Sequence, residues 1–296
     1  MTIQTDPPEA EAEAKAEAAA GAETDAEAAL SLAQLLDRAR PEAGGLRFPI
    51  SPNWAQGRTA FGGLTAAMLL AAARTGRPDL PPLRSALINF TAPVGAAPRI
   101  AVEELRRGRN VTTLQARAEI EGRVAALAGF SFGRAQDSHV SAGCPAAPAP
   151  APEDCPPFIP PGAARVAPRF IGNFETRLID GARPFSAGGG GAGDAWVRGW
   201  ARHRDREMWD RPEGLLAIAD LLPPAVFSIC RKPGPNSSVN WLCNILTEEI
   251  RTEDGWWMLE SRLSAGANGY SSQQMRVWNR AGELVADGLQ SVLIFA

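Results

Sequence analysis

The sequence predicts an α+β protein built as two copies of one unit, a buried helix wrapped by a long antiparallel meander. Two observations carry this. An apolar helical stretch followed by strand-like runs occurs twice in the same order, and several residues recur at a fixed spacing between the copies. Leu105, Gly108, Asn110 and Gln115 are matched by Leu263, Gly266, Asn268 and Gln273, each 158 residues on, and Val124 and Ala126 by Leu284 and Ala286, 160 residues on. Three composition breaks frame the copies. Residues 1–30 are rich in Ala and Glu and nearly free of large apolar side chains, so they cannot offset the entropy of ordering and read as a disordered acidic tail. Residues 135–165 are dense in Pro and Ala and read as a semi-extended linker. The glycine run at 187–193 reads as a loop tip. The repeats are then expected over 45–134 and 166–296.

In the first copy, FGGLTAAMLLAAART (61–75) is apolar nearly all round and predicts a fully buried helix. Strand-like runs follow at 83–92, 99–108, 110–122 and 123–133, separated by turn residues. The second copy has a helix at RPEGLLAIADLL (211–222) and strands at 238–250, 256–266, 269–279 and 283–295.

Composition narrows the chemistry. A net charge of -3 argues against nucleic acid as a partner, and no run of about 18 apolar residues marks a membrane span. There is no secretory leader pattern, and the four cysteines show no CxxC spacing. A reducing, cytoplasmic setting with free thiols is expected. With only two histidines, His139 near the Pro-rich stretch and His203 among charges, both expected to be solvated, a histidine base is hard to supply. No GxSxG elbow is present, and no metal or redox cofactor is expected.

The segments NWAQGRTAFGGLTAAMLLAAA (53–73), FTAP (90–93) and ELRRGRN (104–110), with AIADLLP (217–223), SSVNWLCNI (237–245), ESRLSAGANGY (260–270) and NRAGELVADGLQSVL (279–293), resemble the two halves of the type II acyl-CoA thioesterases, the TesB-like family. The resemblance spans about residues 45–296 and implies a double hotdog fold, an acyl-CoA substrate and association into homo-oligomers. It also implies a water held by an Asp, a Ser or Thr and a Gln, which fall on Asp220, Ser238 and Gln290, with Ser237 the neighbouring choice for the hydroxyl. The sequence departs from familiar members in having Ser at the hydroxyl position and Asn240-Trp241 where Asp-His is common. That departure keeps a second reading open, a non-catalytic acyl-thioester-binding protein.

Residue chemistry supports the same trio. Thiolate leaves readily, so hydrolysis needs chiefly a base for water and donors for the oxyanion. An Asp among aliphatic residues is partly desolvated and more basic than usual. Read alone, Asp220 is equally a helix-ending residue before Pro223-Pro224, Gln290 a solvent-facing strand residue and Ser238 a turn residue. Gly62 and Gly63 open the first helix and are candidate oxyanion donors, or they simply allow close packing. Trp241 is a candidate wall of the acyl pocket that would favour a medium or branched chain. Arg106, Arg107 and Arg109 are candidates for CoA phosphates, or an ordinary solvated turn.

Overall fold

A computed structural model describes residues 29–186, 193 and 195–295. The tail expected over 1–30 and the glycine run at 187–193 therefore fall almost wholly outside the described residues. Leu30 is an exception. It is buried, and its carbonyl accepts hydrogen bonds from Asn53 Nδ2 and Trp54 Nε1, both at 3.0 Å.

Twelve strands form one continuous antiparallel sheet. In chain order these are β1 (Arg40–Glu42), β2 (Gly45–Arg47), β5 (Leu83–Phe90), β6 (Arg99–Arg107), β7 (Val111–Ile120), β8 (Arg123–Gly133), β9 (Phe174–Gly181), β10 (Trp196–His203), β11 (Asn236–Ile245), β12 (Trp257–Ala267), β13 (Tyr270–Trp278) and β14 (Leu284–Ile294). Two further short strands, β3 (Ala55–Gln56) and β4 (Thr59–Ala60), pair only with each other. The sheet order is β1-β2-β6-β7-β8-β5-β11-β14-β13-β12-β10-β9. Read outward from the β5–β11 join, both halves run through equivalent strands in the same sequence. The join centres on Leu87 opposite Leu242.

A short helix α1 (Leu32–Asp37) is capped by Ser31, whose side chain accepts from Gln34 N while Gln34 Oε1 accepts from Ser31 N. The main helices are α2 (Gly62–Arg74) and α3 (Pro212–Ala219). Helix α2 lacks a side-chain cap and is buried on nearly every side, as its Ala and Leu content requires. It packs on β6, β7 and β8, while α3 packs on β10 and β13. The two helices lie antiparallel. Position 63 touches the Ala217 carbonyl, an approach that a Cβ would block, and at the other end Arg74 Nη1 meets Glu213 Oε1 at 2.6 Å.

Several differences from the sequence expectations have physical causes. Helix α3 ends at Ala219 rather than near 222, because Pro223 and Pro224 cannot continue it and disfavour helical backbone before them. Strands β9 and β10 open the second half, where Arg, Asp and Gly interrupt any clean alternation. His203 is not solvated: it is buried at the end of β10 with Nε2 against the Gly214 carbonyl at 2.9 Å, and burial pushes it down to about 4. The segment expected as a linker is docked against the second half, its Cys144 and Pro150 carbonyls accepting from the indoles of Trp278 and Trp200, each at 2.9 Å.

The repeat itself is offset by one residue from the spacing of 158 in β6 and β7. A bulge at Leu105 lies between the pairs Glu104↔Leu114 and Arg106↔Thr113, and the matching bulge at Ser264 lies between Leu263↔Gln273 and Ala265↔Ser272. Gln273 therefore answers to Leu114, not to Gln115. The distinction is physical, because a slip of one residue exchanges the two faces of a strand. By the same bulge matching, Gln290 answers to Phe130 and Ser238 to Leu83.

Candidate active site

Asp220 caps the C-terminus of α3 and reaches across the pseudo-twofold join to the start of α2. There the Gly63 N–H donates to its carboxylate. The N-terminus of a 13-residue helix favours negative charge at this point. On the other side Gln290 Nε2, from β14, donates to Asp220 Oδ1 at 2.7 Å. The Oδ2 oxygen lies where a side chain at position 62 would begin, with an ideal Cβ only 2.5 Å away, so only glycine fits there.

These donors stabilise the carboxylate, yet the net shift is upward, to about 7. Burial among Leu221, Leu222 and the aromatic walls outweighs the Gln290 and Gly63 hydrogen bonds. A group balanced this way holds a proton loosely at neutral pH, which is what a general base needs. The nearby Cys243 thiol is pushed up to about 12, chiefly by burial and then by Asp220, so it stays protonated and is no nucleophile.

Asp220, Gln290, Ser238 and Gly62 line one cavity of about 460 Å³. Its other walls are largely apolar, with Phe61, Phe158, Phe170, Phe185, Phe227 and Trp200 among them. Phe61 and Phe170 stack with ring centroids 4.1 Å apart. Three of the six aromatics come from residues 158–185, so the end of the expected linker and the opening of the second half together supply much of the wall. Arg183 also lines the cavity and braces this segment, donating from Nε to the Phe158 carbonyl at 3.0 Å and from Nη2 to that of Pro157 at 3.2 Å.

The sequence-predicted residues divide cleanly. Asp220 and Gln290 are in direct contact, and Ser238 opens on the same cavity, whereas Ser237 is exposed and its hydroxyl donates to the Ser238 carbonyl at 3.3 Å. Of the glycine pair, Gly63 spends its N–H on Asp220 and Gly62 faces the cavity. Trp241 is not a cavity wall. It is buried in the main core opposite Gln290 and Ile88. The bulge at Val239 sets Trp241 on the same sheet face as Ser238, but its indole packs in the core beneath the cavity rather than lining it, so the argument for a medium or branched chain built on its bulk lapses.

Arg106, Arg107 and Arg109 do not line the cavity either. Arg107 pairs with Glu104 at 2.7 Å, and the register sets their turn near the Ser85 and Asn244 end of the central strands, away from Ser238. One participant was missed at the sequence level, Gln273. It is fully buried, with Nε2 donating to Gln290 Oε1 at 2.7 Å and Oε1 accepting from Ala225 N at 2.7 Å. The inward alternation of Ser271, Gln273, Met275 and Val277 is the signal that could have found it.

Comparison with known proteins agrees with this fold. Residues 50–133 match the family model of the acyl-CoA thioesterase N-terminal domain, and residues 152–294 that of the C-terminal domain. Among solved structures, a conserved protein of unknown function with a hot dog fold from Alicyclobacillus acidocaldarius superposes with a TM-score of 0.76 at 25% identity, covering 91% of this chain and 99% of the other. Acyl-CoA thioesterase II TesB2 from Mycobacterium marinum gives 0.67 at 21% identity, covering 89% and 97%. The tesB protein of Mycobacterium avium subspecies paratuberculosis gives 0.68 at 18% identity, covering 88% and 97%. At these last two identities the likeness is one of fold. No curated protein matches the chain.

Proposed function

Since the chain belongs to the acyl-CoA thioesterase family and has the double hotdog fold, we propose that it hydrolyses acyl-CoA thioesters to the free acid and CoA, with Asp220 as general base. The observation that carries this reading is a carboxylate pinned by Gly63 N–H and Gln290 Nε2 at the edge of an apolar cavity, with a loosely held proton.

In this reading the acyl group lies along the aromatic walls and a water sits between Asp220 and Ser238. Asp220 removes a proton as the water oxygen attacks the thioester carbonyl, forming the C–O bond. Negative charge moves to the carbonyl oxygen, where the backbone N–H groups opening α2, with Gly62 nearest the cavity, are suited to receive it. Collapse breaks the C–S bond and expels the CoA thiolate, which takes up the proton held by Asp220 or one from solvent. Ser238 orients the water, and Gln290 holds the carboxylate. A cytoplasmic setting, where acyl-CoA is made and used, suits this activity.

The test is a panel of acyl-CoAs of increasing chain length with a thiol-trapping dye. Release of free CoA above the buffer rate is expected for at least one of them. Gln290→Ala should lower kcat by about 10-fold or more with the fold retained, as for other disturbed general bases. No hydrolysis at any chain length would contradict the reading and leave an acyl-thioester-binding protein in its place.

A further inference from the structure

Gln273 does not line the cavity, yet it is joined to Asp220 through Gln290 by consecutive short hydrogen bonds. The chain of bonds has a direction. A backbone N–H can only donate, so the Ala225 N–H fixes Gln273 Oε1 as the atom facing it, at 2.7 Å. Gln273 Nε2 must then face Gln290 Oε1, at 2.7 Å, and this leaves Gln290 Nε2 for Asp220 Oδ1, again at 2.7 Å. Turning either amide would set two donors or two acceptors against each other in a buried site, where a polar group left without its hydrogen bond is costly.

The origin of the direction is local. Ala225 opens the 3-10 turn Ala225–Ser228, five residues after Asp220, so the loop that carries the carboxylate also sets the sense of the bonds that hold it. The fold does not demand these polar groups. In the first half the places of Gln273 and Gln290 are taken by Leu114 and Phe130, both fully buried.

We propose that Gln273 is a positioning residue that locks the Gln290 amide with its donor toward Asp220, so that the side chain faces substrate as a carboxylate. This rests on the reading of Asp220 as the base. Two variants separate amide orientation from charge. In Gln273→Glu, a near-isosteric change, the carboxylate still accepts from Ala225 but offers Gln290 a second acceptor, so the Gln290 amide turns its oxygen toward Asp220. In Gln273→Met the lock is removed without adding charge. Of the titratable and charged groups beside Asp220, the Cys243 thiol on β11 is pushed up to about 12 by burial and stays protonated over the range of interest, and the other is the Arg183 guanidinium on the cavity wall.

The experiment is a carboxyl ¹³C NMR titration of Asp220, assigned by its loss in Asp220→Asn, run beside the pH profile of kcat/KM. The Asp220 midpoint should rise by about one pH unit in Gln273→Glu and by a smaller but resolved amount in Gln273→Met, as loss of a hydrogen bond to the charged form requires. The acidic limb of the profile should move with it while KM stays within about 2-fold, because Gln273 does not touch the cavity. An unmoved or lowered midpoint in Gln273→Met overturns the proposal, and a rise in Gln273→Glu alone does so too, because it would report buried charge. If Gln273→Glu does not fold, Gln273→Met decides by itself. A wild-type protein that hydrolyses nothing would defeat the base assignment, while the titration would still decide the orientation.

Discussion

Asp220 concentrates the opposing forces at the site. Its folded form holds its proton up to about 7, and in the unfolded chain it would lose it near the ordinary Asp value of about 4. Below that lower value both states are protonated and the side chain contributes no pH dependence. Between the two values the unfolded chain ionises first, so stability falls as pH rises, and above about 7 the loss levels off at as much as about 4 kcal/mol. Asn at this position cannot ionise. The melting temperature of Asp220→Asn relative to wild type should therefore climb as pH rises from about 4 to about 7 and then stay level, as followed by calorimetry. A difference independent of pH would mean that the carboxylate is not desolvated.

At the scale of elements, the two helices are tied at both ends by side chains that cross between the repeats. Asp220 of α3 meets the start of α2, and Glu213 at the start of α3 meets Arg74 in the last turn of α2. Glu213 is almost completely buried, so removing its partner leaves a charge that Arg211, 3.7 Å away, only partly compensates. Arg74→Ala should cost about 1 to 3 kcal/mol in urea unfolding, discounted from the fully buried case because Arg74 is itself half exposed. No change would place the pair among surface ion pairs of negligible worth. The helices and the eight longer strands after them were legible in the sequence because their apolar periodicity is clean. Strands β9 and β10 were not, because WVRGWARH buries Arg198 and His203 beside its tryptophans and so defeats an alternation test. The site was legible only in part. Asp220, Ser238 and Gln290 follow from the resemblance, but Gln273 was hidden by a repeat alignment one residue out of register, which paired it with Gln115 rather than with the buried Leu114.

Across the whole molecule, the same fold occurs twice, but among the described residues the proposed site occurs once. Ser238, Gln273 and Gln290 in the second half answer to Leu83, Leu114 and Phe130 in the first, all buried apolar residues of the core. At the other end of the helix pair, the Arg74–Glu213 ion pair occupies the place where a second carboxylate site would lie. The chain should therefore bind one acyl-CoA, and calorimetric titration with a non-hydrolysable thioether analogue should give a single site per chain; two would contradict the assignment of Leu83, Leu114 and Phe130 as filled core. The central claim is that one partly desolvated carboxylate activates the water. The most direct test is the pH dependence of kcat/KM for the best acyl-CoA substrate in wild type and Asp220→Asn. Wild type should rise with pH through a midpoint near 7, and Asp220→Asn should be at least about 10-fold slower and lack that limb. A variant that keeps the wild-type rate, or the wild-type limb, would contradict the account.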